Sequence, residues 1–169
     1  PFHNFEHASH VTMSTSKLLA RIVAPEEATG CFAMKQTLND ESNSLSTREV
    51  VDNTYGITSD PLTQFAAVFS ALIHDVDHPG VPTTTLVSEK APVALMYENK
   101  SVAEQNSIDL AWDLFMDPVY EDLRRVLYTN KTEFLRFRQL VTNLVMATDI
   151  MDKELGAFRK ARWNKAFED

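Results

Sequence analysis

Apolar residues recur with a helical period along most of the chain. They form one stripe from Ala8 to Ile22, which Pro25 ends, and another from Phe134 to Val145. From Phe65 to Ile73 nearly every position is apolar, which predicts a helix that begins at Pro61 and is buried on all sides. Strand-like alternation is rare, so the pattern predicts an all-α architecture.

Shorter helices are predicted between these long ones, and capping residues mark their ends. Ser101 and Glu104 have the spacing of a capping box, in which each side chain binds a backbone N–H near the other residue, and a helix follows to Met116. Further helices are predicted at 82–87, 92–97, 118–127 and 132–149, the last with a Thr132-Glu133 cap, and the charged tail 153–169 could form a helix that needs a partner.

The segment 26–60 is expected to be rich in loops. It contains Gly30, Gly56 and the polar run 39–44. Long segments of this kind usually lie on the surface and accept insertions. We therefore expect residues 1–169 to be a single partial domain with an insertion at 26–60. Because the chain opens with Pro1 and a histidine motif begins two residues later, we also expect it to be a piece of a longer, multidomain protein.

Chemistry is concentrated at the end of the predicted core helix, in His74-Asp75-Val76-Asp77-His78. Imidazole and carboxylate groups together suit zinc, manganese or iron better than calcium. His74 and His78 are four residues apart and would share one face if the helix continued. Ionisable groups at the end of a buried helix are costly unless they are paired or coordinated. The motif therefore favours a metal site over an ordinary hydrogen-bonded helix end.

The five histidines of the chain fall into two clusters, one of His3, His7 and His10 and the other of His74 and His78. His3 and His7 would project on the same side of a helix entrance, and His10 could share that side or stand outside it. Two clusters in a histidine-poor chain predict one shared metal site. Because metal bonds are near 2 Å, the imidazoles of His7 and His74 should then lie within ~10 Å of each other.

Composition excludes several classes of partner. The net charge of -8 argues against a surface for nucleic acid or for an anionic membrane. No apolar run is long enough to span a membrane. Cys31 is the single cysteine, so an internal disulfide and a multi-cysteine zinc site are excluded. The zinc-protease motif His-Glu-x-x-His is absent as well.

The two histidine motifs together resemble a known signature. Phe2-His3-Asn4-x-x-His7-Ala8 and the run His74 to Gly80 are similar to the catalytic domain of class I cyclic-nucleotide phosphodiesterases, which carry the metal site of the HD superfamily. Family members add a glutamate at a helix start and a Thr-Asp pair, which here look like Glu104 and Thr148-Asp149. The resemblance covers nearly the whole chain except the 26–60 region.

The resemblance implies a compact multi-helix fold, truncated at the C-terminus, and a role in intracellular signalling. The implied reaction is hydrolysis of a 3',5'-cyclic nucleotide, cAMP and/or cGMP, to the 5'-monophosphate. Two divalent metals, Zn²⁺ and then Mg²⁺ or Mn²⁺, would share an aspartate and a bridging hydroxide that attacks phosphorus. Any membrane tether would lie outside these residues.

Roles for individual residues follow from the same resemblance. His7, His74 and Asp75 would bind zinc, with Asp75 also reaching the second metal. His3 would be the general acid that protonates the departing 3' oxygen. The residues expected around the waters of the second metal are His78, Glu104, Thr148 and Asp149. For Glu104 a capping box, and for Thr148 an ordinary helix hydroxyl, explain the sequence equally well.

The family pattern also shows where this chain differs or ends. The fourth zinc ligand and the glutamine and aromatic clamp of the purine are expected beyond Asp169, so we expect the 169-residue chain alone to be inactive. Gln105-Asn106-Ser107 stands where Asn-His-His is common, and Lys153 where a further histidine is common. Competing hypotheses are an HD phosphohydrolase of other nucleotides, which Asn4 disfavours, and a degenerate module that binds nucleotide or a partner, which His3 disfavours.

Overall fold

In the computed structural model, which describes residues 3–23 and 56–166, the chain forms α-helices and short 3-10 turns and no strand. This confirms the predicted all-α architecture for the described part of the chain. The elements are α1 (Phe5–Val23), α2 (Pro61–Ile73), α3 (Thr83–Ser88), α4 (Pro92–Met96), α5 (Val102–Phe115), α6 (Glu121–Leu127), α7 (Lys131–Met146) and α8 (Lys153–Ala166), with 3-10 turns at Ile57–Ser59 and Pro118–Tyr120.

The predicted loop-rich insertion at 26–60 lies mostly outside the described residues. Its described end begins at Gly56, which has a φ of 80°, and continues as the 3-10 turn Ile57–Ser59. The Gln64 amide donates to the carbonyl of Ile57 at 2.7 Å and so holds this turn against α2. The chain therefore enters α2 from an ordered turn.

Helix α2 begins at Pro61, as the sequence predicts. Asp60 is its N-cap and accepts the backbone N–H of Thr63 at 3.2 Å, while Pro61 lacks the N–H that would need a partner there. The Asp60 carboxylate also forms an ion pair with Arg136 on α7. A single side chain thus caps α2 and ties its start to α7.

Helices α2, α5 and α7 enclose the main core. Fully buried Phe137 of α7 stands at its centre. The centroid of its ring lies 5.7 Å from that of Phe115 and 5.9 Å from those of Phe65, Phe69 and Trp112. Aromatic pairs at such separations add ~0.5–1.5 kcal/mol to the burial term. The helices that lead to the candidate site rest on this aromatic cluster.

Two expectations about the long helices need correction. Helix α2 is not buried on all sides, because Leu72 is 42 % exposed while Ala66 and Ile73 are buried. The cap of α7 is Asn130 rather than Thr132, since Asn130 Oδ1 accepts the backbone N–H of Glu133 at 3.0 Å. Asparagine is among the best N-cap residues, and here it has the extended backbone of a cap.

The packing of α1 on α2 positions the candidate site. The two helices run in opposite directions, so the start of α1 lies beside the end of α2. The charged tail forms α8, as predicted, with Phe158 and Trp163 both 67 % exposed, and its partner remains a prediction. Within residues 3–23 and 56–166, no helix is both long and apolar enough to cross a membrane.

Candidate metal centre and active site

Asn4 sets the first cluster of histidines in place. Its side-chain Oδ1 accepts the backbone N–H of His7 at 2.9 Å, and its carbonyl accepts that of Ala8 at 3.0 Å. These are the hydrogen bonds of a helix N-cap. His3 therefore stands just before the helix and His7 in its first turn, with their ring centroids 6.1 Å apart. His10 is exposed and stands outside this pair.

The second cluster lies on a tight turn, because α2 ends at Ile73. Asp77 has a φ of 56°, which an aspartate tolerates better than most residues. Because the helix does not continue past Ile73, the condition under which His74 and His78 would share one helix face is not met. The carboxylate of Asp77 accepts the Asn106 side-chain N–H at 3.2 Å.

Three imidazoles converge on one carboxylate oxygen. Oδ2 of Asp75 lies 2.7 Å from His3 Nδ1, 3.3 Å from His7 Nε2 and 3.2 Å from His74 Nε2. The ring centroids of His7 and His74 are 5.4 Å apart, inside the ~10 Å that the shared site requires. The convergence of the two histidine clusters is therefore confirmed.

The hydrogen bonds of His74 determine which of its nitrogens faces Asp75. Its Nδ1–H donates to the carbonyl of Ala71 at 2.9 Å, because a carbonyl can only accept. In the neutral ring the lone pair of Nε2 then points at the Asp75 oxygen, 3.2 Å away. Two lone pairs at this distance repel each other unless a proton or a metal ion lies between them. The arrangement suits a cation.

His78 takes a different role from the other histidines. Its ring stacks on that of His3, with centroids 3.7 Å apart, and its Nδ1 accepts the backbone N–H of Gly80 at 3.0 Å. Burial, helped by the neighbouring His3, lowers the pKa of His78. A neutral ring whose Nδ1 accepts a hydrogen bond carries its proton on Nε2. His78 is therefore a hydrogen-bond donor toward its surroundings.

A cavity of about 560 Å³ collects the candidate residues. One oxygen of Glu104, Oε2, is buried in it and has no hydrogen-bond partner among the described residues. Burial first, and then repulsion from Asp149 and Asp75, raise the pKa of the Glu104 carboxyl. A nearby cation would satisfy this oxygen. All eight site residues predicted from the sequence line the cavity, namely His3, His7, His74, Asp75, His78, Glu104, Thr148 and Asp149.

The predicted capping box at the start of α5 is wrong. Ser101 occupies the cap position but makes no side-chain cap bond, and its Oγ donates instead to Oδ2 of Asp149 at 2.6 Å. The other oxygen of Asp149 accepts the backbone N–H groups of Met151 and Asp152. The Ser101 hydroxyl thus bonds to the distant Asp149 instead of to the first turn of α5. The Glu104 side chain, free of a capping box, faces the cavity.

Both interpretations of Thr148, an ordinary helix hydroxyl and a site residue, agree with the structure. Its hydroxyl donates to the carbonyl of Val145 at 2.7 Å, as an ordinary helix threonine does. The oxygen also lines the cavity and retains lone pairs that can accept a hydrogen bond.

Comparison with known proteins shows which family the chain belongs to. The family model for 3'5'-cyclic nucleotide phosphodiesterases matches residues 2–160. The chain belongs to that family. The match runs across both histidine motifs, Glu104 and the Thr148-Asp149 pair.

Curated relatives carry related names. The chain is 32 % identical over 165 residues to the human cGMP-inhibited 3',5'-cyclic phosphodiesterase 3A, a match that covers 89 % of this chain and 14 % of that protein. It is 29 % identical to a probable 3',5'-cyclic-AMP phosphodiesterase of Caenorhabditis elegans, covering 88 % and 17 %. It is also 29 % identical to the human dual specificity calcium/calmodulin-dependent 3',5'-cyclic nucleotide phosphodiesterase 1C, covering 89 % and 16 %. The chain thus spans less than a fifth of these relatives' length.

The donor atoms of the site fit divalent metals. His7, His74 and Asp75 offer ligand atoms within 4.8 Å of one another, and so do His3, Asp75 and His78. Two imidazole nitrogens with one carboxylate oxygen form a common three-ligand set of catalytic zinc. The facing lone pairs at His74 and the buried oxygen of Glu104 both call for positive charge.

Two residues of α5, Asn106 and Ser107, hold the turn 74–78 through hydrogen bonds that the sequence did not predict. Fully buried Ser107 donates through Oγ to the carbonyl of Val76 at 2.7 Å, and Asn106 binds Asp77. Both contacts lie on the turn that carries Asp75. Neither side chain lines the cavity of about 560 Å³.

Proposed function

We propose that the full-length protein containing this chain hydrolyses a purine 3',5'-cyclic nucleotide, cAMP and/or cGMP, to the 5'-monophosphate. The observation that carries the proposal is the meeting of His3, His7 and His74 at one oxygen of Asp75. Membership of the phosphodiesterase family supports it. One relative is named for cyclic AMP and another for dual specificity toward 3',5'-cyclic nucleotides, so the proposal spans both cAMP and cGMP.

His7 Nε2, His74 Nε2 and Asp75 would hold Zn²⁺, and Asp75 would also reach Mg²⁺ or Mn²⁺. When bound, such ions lower the pKa of a coordinated water and offset the charge of the phosphate. The Ala71 carbonyl fixes the ring of His74 with Nε2 toward the ion, which is how a second hydrogen bond prepares a metal ligand. Glu104, Thr148 and the N–H of His78 would orient water around the second ion. Asp149 lines the cavity too and would join this network through the remaining lone pair of Oδ2, while its carboxylate also accepts hydrogen bonds from Ser101 and from two backbone N–H groups.

His3 would deliver the proton that the leaving 3' oxygen needs. The Asp75 carboxylate accepts a hydrogen bond from Nδ1 of His3 at 2.7 Å, which fixes the orientation of the ring. An imidazole can hold or release a proton near neutral pH, so it suits general acid catalysis. Stacking on His78 keeps the His3 ring at a constant angle to the cavity.

The experiment compares two histidines of α1 in the full-length protein. His7→Ala should lower zinc content and abolish hydrolysis of both cyclic nucleotides, because it removes a ligand atom. His10→Ala is the matched control, since His10 is exposed on the same helix and outside both ligand groups. A chelator should abolish turnover and added metal should restore it. Turnover that survives complete metal removal, or equal losses in the two variants, would contradict the proposal.

A further inference from the structure

Helix α5 begins with a residue in an unusual conformation. Ser101 has φ 37° and ψ 49°, the left-handed region that residues other than glycine rarely adopt. This backbone is strained and persists only where the surroundings hold it. Ser101 is 4 % exposed, and its hydroxyl donates to Asp149 Oδ2 at 2.6 Å. The hydrogen bond to Asp149 is the side-chain contact that holds Ser101 in this state.

Asp149 is itself firmly anchored. Its Oδ1 accepts the backbone N–H groups of Met151 at 2.9 Å and Asp152 at 3.1 Å. The guanidinium of Arg159 donates to the Asp149 carbonyl at 2.9 Å. Asp149 is also 8 % exposed. A carboxylate fixed on both oxygens is a rigid attachment point for a neighbouring segment.

Ser101 in turn determines where Glu104 lies. The carbonyl of Ser101 accepts the backbone N–H of Gln105 at 2.9 Å, the first hydrogen bond of α5, so a shift of Ser101 moves the whole first turn. Glu104 belongs to that turn and directs a buried oxygen into the cavity. One helical turn later, the hydroxyl of Ser107 donates to the carbonyl of Val76 on the turn 74–78. Two serine hydroxyls thus pin α5 on either side of Glu104.

We propose that Ser101, held by Asp149, is a positioning residue that keeps the Glu104 carboxylate in the cavity opposite Asp75. The inference rests on the proposed function in so far as Glu104 serves a bound cation. It assigns to Asp149 a structural role through Ser101. A substitution of Ser101 should therefore change metal affinity only by changing the position of the Glu104 carboxylate.

A double-mutant cycle in the full-length protein tests this route. Ser101→Gly removes the hydroxyl but keeps the left-handed backbone without strain. It should weaken Mn²⁺ binding about tenfold, the size of effect typical of residues that orient metal ligands. In a Glu104→Gln background the same substitution should change the Mn²⁺ affinity less than about twofold, because the carboxylate it positions is gone. An equal loss in both backgrounds would overturn the proposal.

A further variant separates positioning from general stability. Ser70→Ala removes another buried serine hydroxyl, one without a hydrogen-bond partner among the described residues, and should leave Mn²⁺ affinity unchanged. Loss of binding in Ser70→Ala as large as in Ser101→Gly would show that the assay reports stability alone.

A crystal structure of the metal-free Ser101→Gly protein decides the matter independently of metal binding. The Glu104 carboxylate should leave its position in the cavity while Asp75 and its three imidazoles stay together. An unmoved Glu104 carboxylate would overturn the positioning role. If the unmodified protein binds no Mn²⁺ and yet Glu104 moves in the variant, the proposed function fails while the positioning role stands.

Discussion

The Nδ1 atom of His3 lies 2.7 Å from Oδ2 of Asp75, although 72 positions separate the two residues in the chain. The same oxygen is approached by Nε2 of His7, one turn further along α1. The proposed acid and the proposed ligand thus contact one atom from one helix entrance. Because the two side chains occupy such similar positions, their proposed roles must be distinguished by the reaction step that each substitution affects.

His7→Ala in the full-length protein should strip zinc and activity together, whereas His3→Ala should leave the metal in place. Loss of a general acid should cost His3→Ala on the order of 10²–10⁴ in rate when the leaving oxygen is strongly basic. A substrate with a weakly basic leaving group needs no proton in the transition state. Such a substrate should be cleaved by His3→Ala nearly as fast as by the unmodified protein, and slowly by His7→Ala.

Metal analysis and rates with both substrates check this assignment. Equal rate losses of His3→Ala on the two substrates would show that its imidazole does not donate the proton. Zinc loss in His3→Ala would make His3 a ligand. His10→Ala should match the unmodified protein in both measurements, since that side chain is exposed.

The helices were predictable because their signals are local. Proline at the first position and a helical apolar period located α2, proline at the first position located α4, and Pro82, the N-cap of α3, marked the start of that helix. The meeting of the two histidine clusters was predictable from composition and motif resemblance. It could not come from periodicity, since it depends on how α1 packs against α2.

The wrong capping box arose because a distant partner replaced a local one. Ser101 and Glu104 match the capping-box spacing, but Asp149, 48 positions away, takes the serine hydroxyl. Ser107 gave no sequence signal, because its role is a bond to a backbone carbonyl 31 positions away. Asp77 carried a weak signal, since aspartate is one of the few residues that tolerate the left-handed backbone found in the turn after α2.

Acid should weaken the fold through Asp60. The hydrogen bond to Arg136 lowers the pKa of Asp60 from 3.8 to about 2. A carboxyl with a lowered pKa in the folded state stabilises the fold above its usual pKa and loses that contribution as pH falls toward the lowered value. The shift corresponds to at most about 2.4 kcal/mol, and since the Arg136 side chain is 50 % exposed we expect about 1–2 kcal/mol.

Urea unfolding of the unmodified protein and of Asp60→Asn measures this contribution. Asparagine keeps the helix cap, so the comparison isolates the charge. The difference in unfolding free energy should be present at pH 5.5 and vanish near pH 2. Arg125→Ala is the control, because Arg125 and Glu121 form an exposed pair on α6 worth little. A difference between the unmodified protein and Asp60→Asn that is constant with pH would contradict the assignment.

Ser107→Ala should destabilise the turn 74–78 more than Asn106→Ala does. Ser107 is fully buried, so its loss leaves the Val76 carbonyl unsatisfied at a cost of about 1–3 kcal/mol. The bond from Asn106 to Asp77 is exposed to water, and its loss should cost less than about 1 kcal/mol. Chemical denaturation and zinc titration of both variants are the measurements. Equal effects on both quantities would show that burial of the Ser107 bond is unimportant.

Asn4 should influence both folding and metal affinity, because it caps the helix that presents His3 and His7. Asn4→Ala removes the acceptor for the His7 backbone N–H, which should cost about 1 kcal/mol of stability. Fraying of the first turn also lets the His7 ring move, so zinc affinity should fall by more than stability alone explains. Asn4→Ser offers another cap oxygen and should restore both quantities in large part.

The control for Asn4 is Ser9→Ala on the same helix. The Ser9 hydroxyl donates to the carbonyl of Phe5 at 2.7 Å, a bond within the helix that contributes little. Thermal unfolding and zinc titration of the three variants separate the possibilities. If Asn4→Ser binds zinc as weakly as Asn4→Ala, the amide of Asn4 acts on the site by some route other than the cap. If the cap explanation holds, stability and zinc affinity should recover together in Asn4→Ser and stay unchanged in Ser9→Ala.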